Sequence, residues 1–151
     1  MSAGSGQAGI TLIEVLIALL VFSVGVLGVA LLQLNALKYT DSALRSTQVS
    51  FIALDLLERA RANPAVSYAL ASVSQAPASG NLDVPRDQDL FDFADQLRRM
   101  AGDDVQAWVT VTGARVTVSV DWNDSRAEGD QAHRQTLSLS TLVGAERATQ
   151  P

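Results

Sequence analysis

The chain contains no cysteine. No disulfide can staple it, and no thiolate metal site can form. It has a single histidine, His133, which excludes a histidine-rich metal centre. Basic residues number 11 against 16 acidic ones, a formal net charge of −5. The clustered basic surface that phosphate backbones require is therefore missing, and direct nucleic-acid binding is not expected. No glycine loop suited to cradling phosphate is present, and no nucleophile stands at a telling spacing from His133. An enzyme is not expected, nor is a cofactor. The most extended absence lies near the N-terminus: from Val15 to Leu32 there is no charge and no proline.

What fills that interval is Leu, Ile, Val and Ala. Residues 10–37 read as one helix. The stretch between Glu14 and Gln33 is long enough to cross a hydrocarbon core of roughly 30 Å at about 1.5 Å rise per residue. Gly25 and Gly28 are spaced by three, which is not the helix-dimer spacing of four. Glu14 stands alone at the head of the run. A carboxylate there costs free energy unless something neutralises it, and a retained cost suggests a role. The simplest role is to mark the membrane edge and reach for the headgroups. A secretory signal peptide would have a shorter apolar core, followed by a small-residue cleavage site. Here Ala36-Leu37-Lys38 continues the helical pattern, and the small residues (1–9) precede the apolar run instead.

Gly9 followed by Ile10-Thr11-Leu12-Ile13-Glu14-Val15-Leu16 resembles the prepilin leader junction of the type IV pilin family. The resemblance implies that residues 1–9 are a leader removed by a membrane prepilin peptidase after Gly9. It implies that Ile10 becomes the N-methylated first residue, and that Glu14 is the acid used in assembly. Members usually begin with Phe or Met, so Ile10 is a less common choice. Physics fits the role: in a filament core without water, Glu14 would be neutralised by the free α-ammonium of a neighbouring subunit's Ile10, near the positive end of its own helix dipole. Prepilin leaders usually carry Lys or Arg, and residues 1–9 carry none; a start upstream of Met1 would supply them. The first cations, Lys38 and Arg45, follow the span. The positive-inside rule alone would put the C-terminal part in the cytoplasm. The resemblance instead implies an inner-membrane protein with that part in the periplasm, and later in the pilus.

From Lys38 to Asn63 there is no Gly or Pro, and Val49, Ile52, Ala53, Leu56, Leu57 and Ala60 fall on one helical face. The spacing predicts one helix from Ile10 to about Ala62, stopped by Asn63-Pro64. Residues 10–37 would be its membrane and filament-core half, 38–63 its soluble half, and 64–151 a C-terminal globular domain laid against it. The string Asp55-Leu56-Leu57-Glu58-Arg59-Ala60-Arg61-Ala62-Asn63-Pro64, with Tyr39-Thr40-Asp41-Ser42 and Arg45, resembles the minor pilins of the pilus-modification (PilV-like) subgroup. The cluster around Glu58, Arg59 and Arg61 reads either as a solvated helix end or as a subunit contact.

Residues 71–88 read as a linker rich in Ser, Ala, Gly, Pro and Asn. Asp87 to Met100 reads as a short amphipathic helix capped by Asp87, with Leu90, Phe93, Ala94 and Leu97 on one face. Asp87, Asp89, Asp92 and Asp95 lack the spacing and central glycine of a calcium loop, so acidic solvation is the expectation. Val105–Thr112 and Arg115–Trp122 alternate around Gly113-Ala114, which predicts a hairpin with a type II′ turn. Its register pairs Val111 with Val116, Val109 with Val118, Ala107 with Val120 and Val105 with Trp122. Trp108 falls on the other face with Thr110, Thr117 and Ser119; it is covered by the acidic helix or linker, or exposed as a contact anchor, and coverage is the expectation. A loop from Asn123 to Ala132 leads to a third strand, Gln135–Val143, with Leu137, Leu139 and Val143 inward. Asp121, Asn123, Asp124 and Asp130 could ligate a cation, although turn chemistry explains them better.

The expected fold is α+β and pilin-like: a long N-terminal helix, half transmembrane, packed on a three- to four-stranded antiparallel sheet. The expected function is that of a minor type IV pilin that helps initiate or modify the pilus. Its implied partners are the prepilin peptidase, other minor pilins and the major pilin, and the inner-membrane assembly platform. A minor pseudopilin of a type II secretion system and a single-span protein with a periplasmic binding module are the alternatives.

Overall fold

The computed structural model describes residues 11–124 and 134–144. The chain divides into two compact units, residues 1–39 and 40–151. Helix α1 runs Leu12–Ala62 and contributes to both.

In the first unit, every described residue from Thr11 to Tyr39 is exposed. This half of α1 is long and apolar enough to cross a membrane, with a mean hydropathy of 3.0 over its most apolar window and none of that window buried. Its backbone polar groups are satisfied inside the helix, as an apolar medium demands. Between Val15 and Leu32 the one hydroxyl, that of Ser23, donates back to the Leu19 carbonyl at 2.7 Å, so it too needs no outside partner.

The second unit is α+β. The soluble half of α1 buries Val49, Ile52, Ala53, Leu56, Leu57 and Ala60, the face the spacing predicts. The Asn63 N–H still donates to the Arg59 carbonyl at 3.1 Å. Pro64 has no N–H to continue the ladder, and the helix stops.

Just before the segment expected to be a linker, Leu70 exchanges both backbone hydrogen bonds with Val109, at 3.0 and 2.8 Å. A 3-10 turn at Val73–Gln75 follows, its first residue buried. Helix α2 spans Pro85–Ala101, so residues 85–88 belong to it rather than to a linker. The expectation that Asp87 caps α2 is corrected. Val84 holds the cap position without a side-chain bond, Pro85 opens the helix, and Asp87 sits in the first turn. Proline is suited there because the first helical N–H has no intrahelical acceptor to lose. Gly102 ends α2 at φ +95°, its N–H on the Arg98 carbonyl at 3.0 Å.

Strands β1 (Gln106–Thr112), β2 (Arg115–Asn123) and β3 (Arg134–Leu142) form one antiparallel sheet in the order β1-β2-β3. The pairs Val111–Val116, Val109–Val118 and Ala107–Val120 are those predicted. Val105–Trp122 is not: the ladder begins at Gln106–Asp121, and Val105 still belongs to the turn after α2, its N–H on the Gly102 carbonyl at 3.3 Å. Gly113, first of the two turn residues, has φ +57°, which a side chain would resist.

One core joins the α1 face, Leu90, Phe93, Ala94 and Leu97 of α2, and the inward valines of β1 and β2. Leu137, Leu139 and Val143 pack on it partly buried. Trp122 lies within it, 1% exposed, and its indole N–H has no hydrogen-bond partner among the described residues. Coverage of Trp108 is corrected too: it is 37% exposed. Helix α2 spends its apolar face on the core shared with α1, which leaves Trp108 to border a shallow cleft with Ala69 and Ala71.

Candidate functional site

The head of α1 is where sequence and structure concentrate a potential function. The Thr11 carbonyl accepts from the Glu14 N–H at 3.0 Å and from the Val15 N–H at 3.3 Å. Thr11 therefore stands at the helix N-cap and Glu14 three residues inside it. That is the spacing of a capping box, in which a threonine and a glutamate serve each other's free backbone N–H groups. Thr11 is not among the residues singled out from the sequence, although Thr-x-x-Glu before an apolar run is the signature of such a box. Glu14 itself is exposed, in the turn where the helix dipole is positive and an anion is favoured. The next charged residue along the chain is Lys38. Gly9 and Ile10 lie outside the described residues.

A family model described as "Prokaryotic N-terminal methylation motif" matches residues 4–30. The chain carries a prepilin-type methylation motif. The match spans Gly9, Ile10, Thr11, Glu14 and much of the apolar run. Comparison with curated proteins and comparison with solved structures each gave no match. The motif indicates a precursor of the type IV pilin or pseudopilin kind, a structural subunit anchored in a membrane by its N-terminal helix.

Beyond the methylation motif, polar groups singled out in the sequence serve the fold. The Arg59 guanidinium reaches Asp55 at 2.8 Å, Asp89 at 2.8 Å and Asp92 at 3.4 Å, tying α1 to α2. The Asp89 hydrogen bond, more than any other contact, raises the Arg59 pKa above its ordinary value. The Tyr68 hydroxyl donates to the other Asp89 oxygen at 2.7 Å. Burial first, and then this bond to a carboxylate, push the Tyr68 pKa up. Arg61 pairs with Glu58 at 3.0 Å and donates to Thr141 of β3. The side chains of Glu58 and Arg61 are each more than half exposed, which agrees with a solvated helix end, while Arg59 between them is held by α2. Of the α2 acids, Asp87 and Asp95 lie at the solvated surface beside Arg86 and Arg99, as expected, whereas Asp89, only 14% exposed, and Asp92 hold Arg59.

Of the candidate cation ligands, Asp121 is bound by Arg134 and Thr136. Asp124 is 3% exposed and accepts from Ser42 of α1 and from Gln135 Nε2, the latter at 2.7 Å. No metal-competent cluster occurs among the described residues. Asp130 and His133 lie outside them. The Ser42–Asp124–Gln135 tie was not legible in sequence, because its members are far apart along the chain and each is an ordinary surface residue type.

Proposed function

We propose that this chain is a minor type IV pilin. The observation that carries the reading is the methylation motif at residues 4–30, opening a helix whose first half is apolar and uncovered and whose second half belongs to a small α+β domain. On this reading residues 1–9 are the leader, the prepilin peptidase cuts between Gly9 and Ile10, and Ile10 is N-methylated. Residues 10–37 hold the subunit in the inner membrane, with the domain in the periplasm, until it enters the filament. The string Asp55 to Pro64 favours a pilin of the pilus-modification type over a secretion pseudopilin. Its partners are then the major pilin, other minor pilins and the inner-membrane assembly platform, and its service is to initiate or modify the pilus.

The chemistry is done to the chain. Cleavage converts a peptide nitrogen into an α-ammonium at Ile10, and methylation leaves that nitrogen cationic. In a core from which water is excluded, an unpaired Glu14 carboxylate is costly, and the ammonium of an adjacent subunit is the partner that removes the cost. The pair sets the axial register, while apolar burial supplies the non-directional drive. Thr11 and Glu14 both follow the cut, so the helix start survives processing.

Mass spectrometry of the mature N-terminus tests the reading. A methylated Ile10 supports it; a protein that keeps Met1 in its native membrane sinks it. In the same cells, Glu14→Ala should be processed normally yet be depleted from sheared pili, and a bulky residue at Gly9 should block processing.

A further inference from the structure

The sheet of the second unit has one covered face and one bare face. Val116, Val118, Val120 and Trp122 of β2 turn into the core, where α1 and α2 meet them, and the residues between them turn the other way. The strand registers set Trp108 and Thr110 of β1 beside Ser119 and Thr117 of β2, with Ser138 and Ser140 of β3 beyond them. Trp108 is the one aromatic residue on this outer face. It is 37% exposed, and with Thr110, Ala69 and Ala71 it lines a shallow cleft of about 580 Å³, in the size range of small-molecule sites. The hydroxyls of Ser119 and Ser138 bond to each other at 3.0 Å. The Trp108 indole N–H and the hydroxyls of Thr110 and Thr117 have no hydrogen-bond partner among the described residues. Charge stands only at the two ends of the face. Arg115, beside the hairpin turn, donates to Ser140 at 3.3 Å, and at the other end Asp121 is engaged by Arg134 and Thr136. Leu142, the other large apolar side chain on the face, lies at the far end of β3.

We propose that this outer face binds a neutral saccharide, one pyranose ring stacking on the Trp108 indole while hydroxyls of the sugar bond to Thr110, Thr117 and the indole N–H. The chemistry of the face defines the ligand. An indole presents an electron-rich face, which attracts weakly positive C–H bonds. A pyranose offers a row of C–H bonds on one side of its ring and hydroxyls around its rim. A threonine hydroxyl both donates and accepts, so it can meet a sugar hydroxyl in either sense. No uncompensated charge lies beside Trp108, and a phosphate, a carboxylate or a cation would lose its water with nothing to replace it. A polypeptide fits less well. Serine is depleted in protein interfaces, and Ser and Thr are under-represented among their energetic anchors. Here Ser and Thr are the neighbours of Trp108 across β2 and β3. None of these residues belongs to the methylation motif.

The test uses the isotope-labelled full chain in micelles of a detergent without a sugar headgroup. The probes are three neutral oligosaccharides: cellotriose, N-acetylated chitotriose and lactose. Sorbitol, an open-chain polyol with hydroxyls but no ring, is the control. The chain has two tryptophans, so two indole N–H signals report. At least one oligosaccharide should shift the Trp108 indole and the Thr110 and Thr117 amides saturably, with a dissociation constant on the order of 1 mM, as suits a shallow site. The indole signal of Trp122, 1% exposed, should stay in place. Trp108→Ala should weaken that binding by about tenfold or more, read at the same two amides, with an unmoved Trp122 signal showing that the domain is folded. Thr110→Val keeps the side-chain shape, removes one hydroxyl and should weaken binding by about threefold. Three results overturn the proposal: no saturable shift with any of the oligosaccharides up to its solubility limit, an equal response to sorbitol, or binding by Trp108→Ala or Thr110→Val equal to the parent's. In the first case, depletion of Trp108→Ala from sheared pili would assign Trp108 to a contact between subunits instead.

Discussion

The two halves of α1 belong to one helix and share an apolar character, yet they meet opposite conditions. From Thr11 to Tyr39 every residue is exposed; from Val49 to Ala60 six side chains are buried against α2 and the sheet. In the second half one recurring apolar face is covered by the chain itself, and the other faces are mainly charged and polar, with a few exposed apolar side chains such as Phe51 and Leu54. In the first half they occur all round, and no single packed face could hide them. A helix of that kind is finished by something outside its own fold: lipid first, and on the proposed reading, other helices. Apolar content shows that burial is required, and its periodicity shows who provides it.

The contrast can be broken most sharply by paired truncations. Leu56→Ala, at a site 2% exposed, should destabilise the second unit by about 2–5 kcal/mol through lost transfer energy and a residual cavity. Leu27→Ala, at a site 63% exposed, should leave its unfolding midpoint unchanged. Denaturant unfolding of the full chain in micelles, followed by near-ultraviolet dichroism of buried Trp122, reads both. Comparable losses from the two would mean that the units unfold as one.

Next comes the polar clamp. Arg59→Ala leaves Asp89 and Asp92 without their cation. After a discount for the solvent that reaches the guanidinium, it should cost about 1–2 kcal/mol in the same assay, with Arg59→Lys recovering part of it. Glycine sharpens the comparison further. Gly113→Ala forces a side chain into a positive-φ turn and should cost about 1 kcal/mol, whereas Gly25→Ala, with open space where its Cβ would go, should not destabilise the second unit.

The smallest effect concerns pH. The Tyr68 pKa in the folded domain lies above the ordinary 10.0. The fold therefore favours the neutral phenol, and the unfolded chain releases its proton first. The stabilisation is complete below pH 10 and is lost as pH rises through the folded pKa. Tyr68→Phe should flatten that alkaline fall, measured as unfolding midpoint against pH; an unchanged slope would mean that another group carries it.

The methylation motif was legible because its signals are local. Gly9, Ile10 and Glu14 are fixed by position relative to an apolar run, and the methylation-motif match covers the same residues. The hairpin was legible for the same reason. Strict alternation around Gly113-Ala114 admits one register, and only the Val105 end departs, where the chain is still leaving the turn after α2. Pro85 was present to announce the start of α2, and Asp87 was preferred on cap chemistry alone. Trp108 was misplaced because the side of the sheet that α2 would cover depends on how the second unit closes.

Residue order by itself determined the apolar span, the isolated acid at its head, the stop at Asn63-Pro64 and the pairing of β1 with β2, since each arises between neighbours a few positions apart. The folded molecule alone decided that Arg59 would be gripped by α2, that Asp124 would be held by Ser42 and Gln135, and that the β1 edge of the sheet would be bridged by Leu70. Those outcomes join positions separated by tens of residues, and the energy of such a contact does not exist until the core has brought its partners within reach.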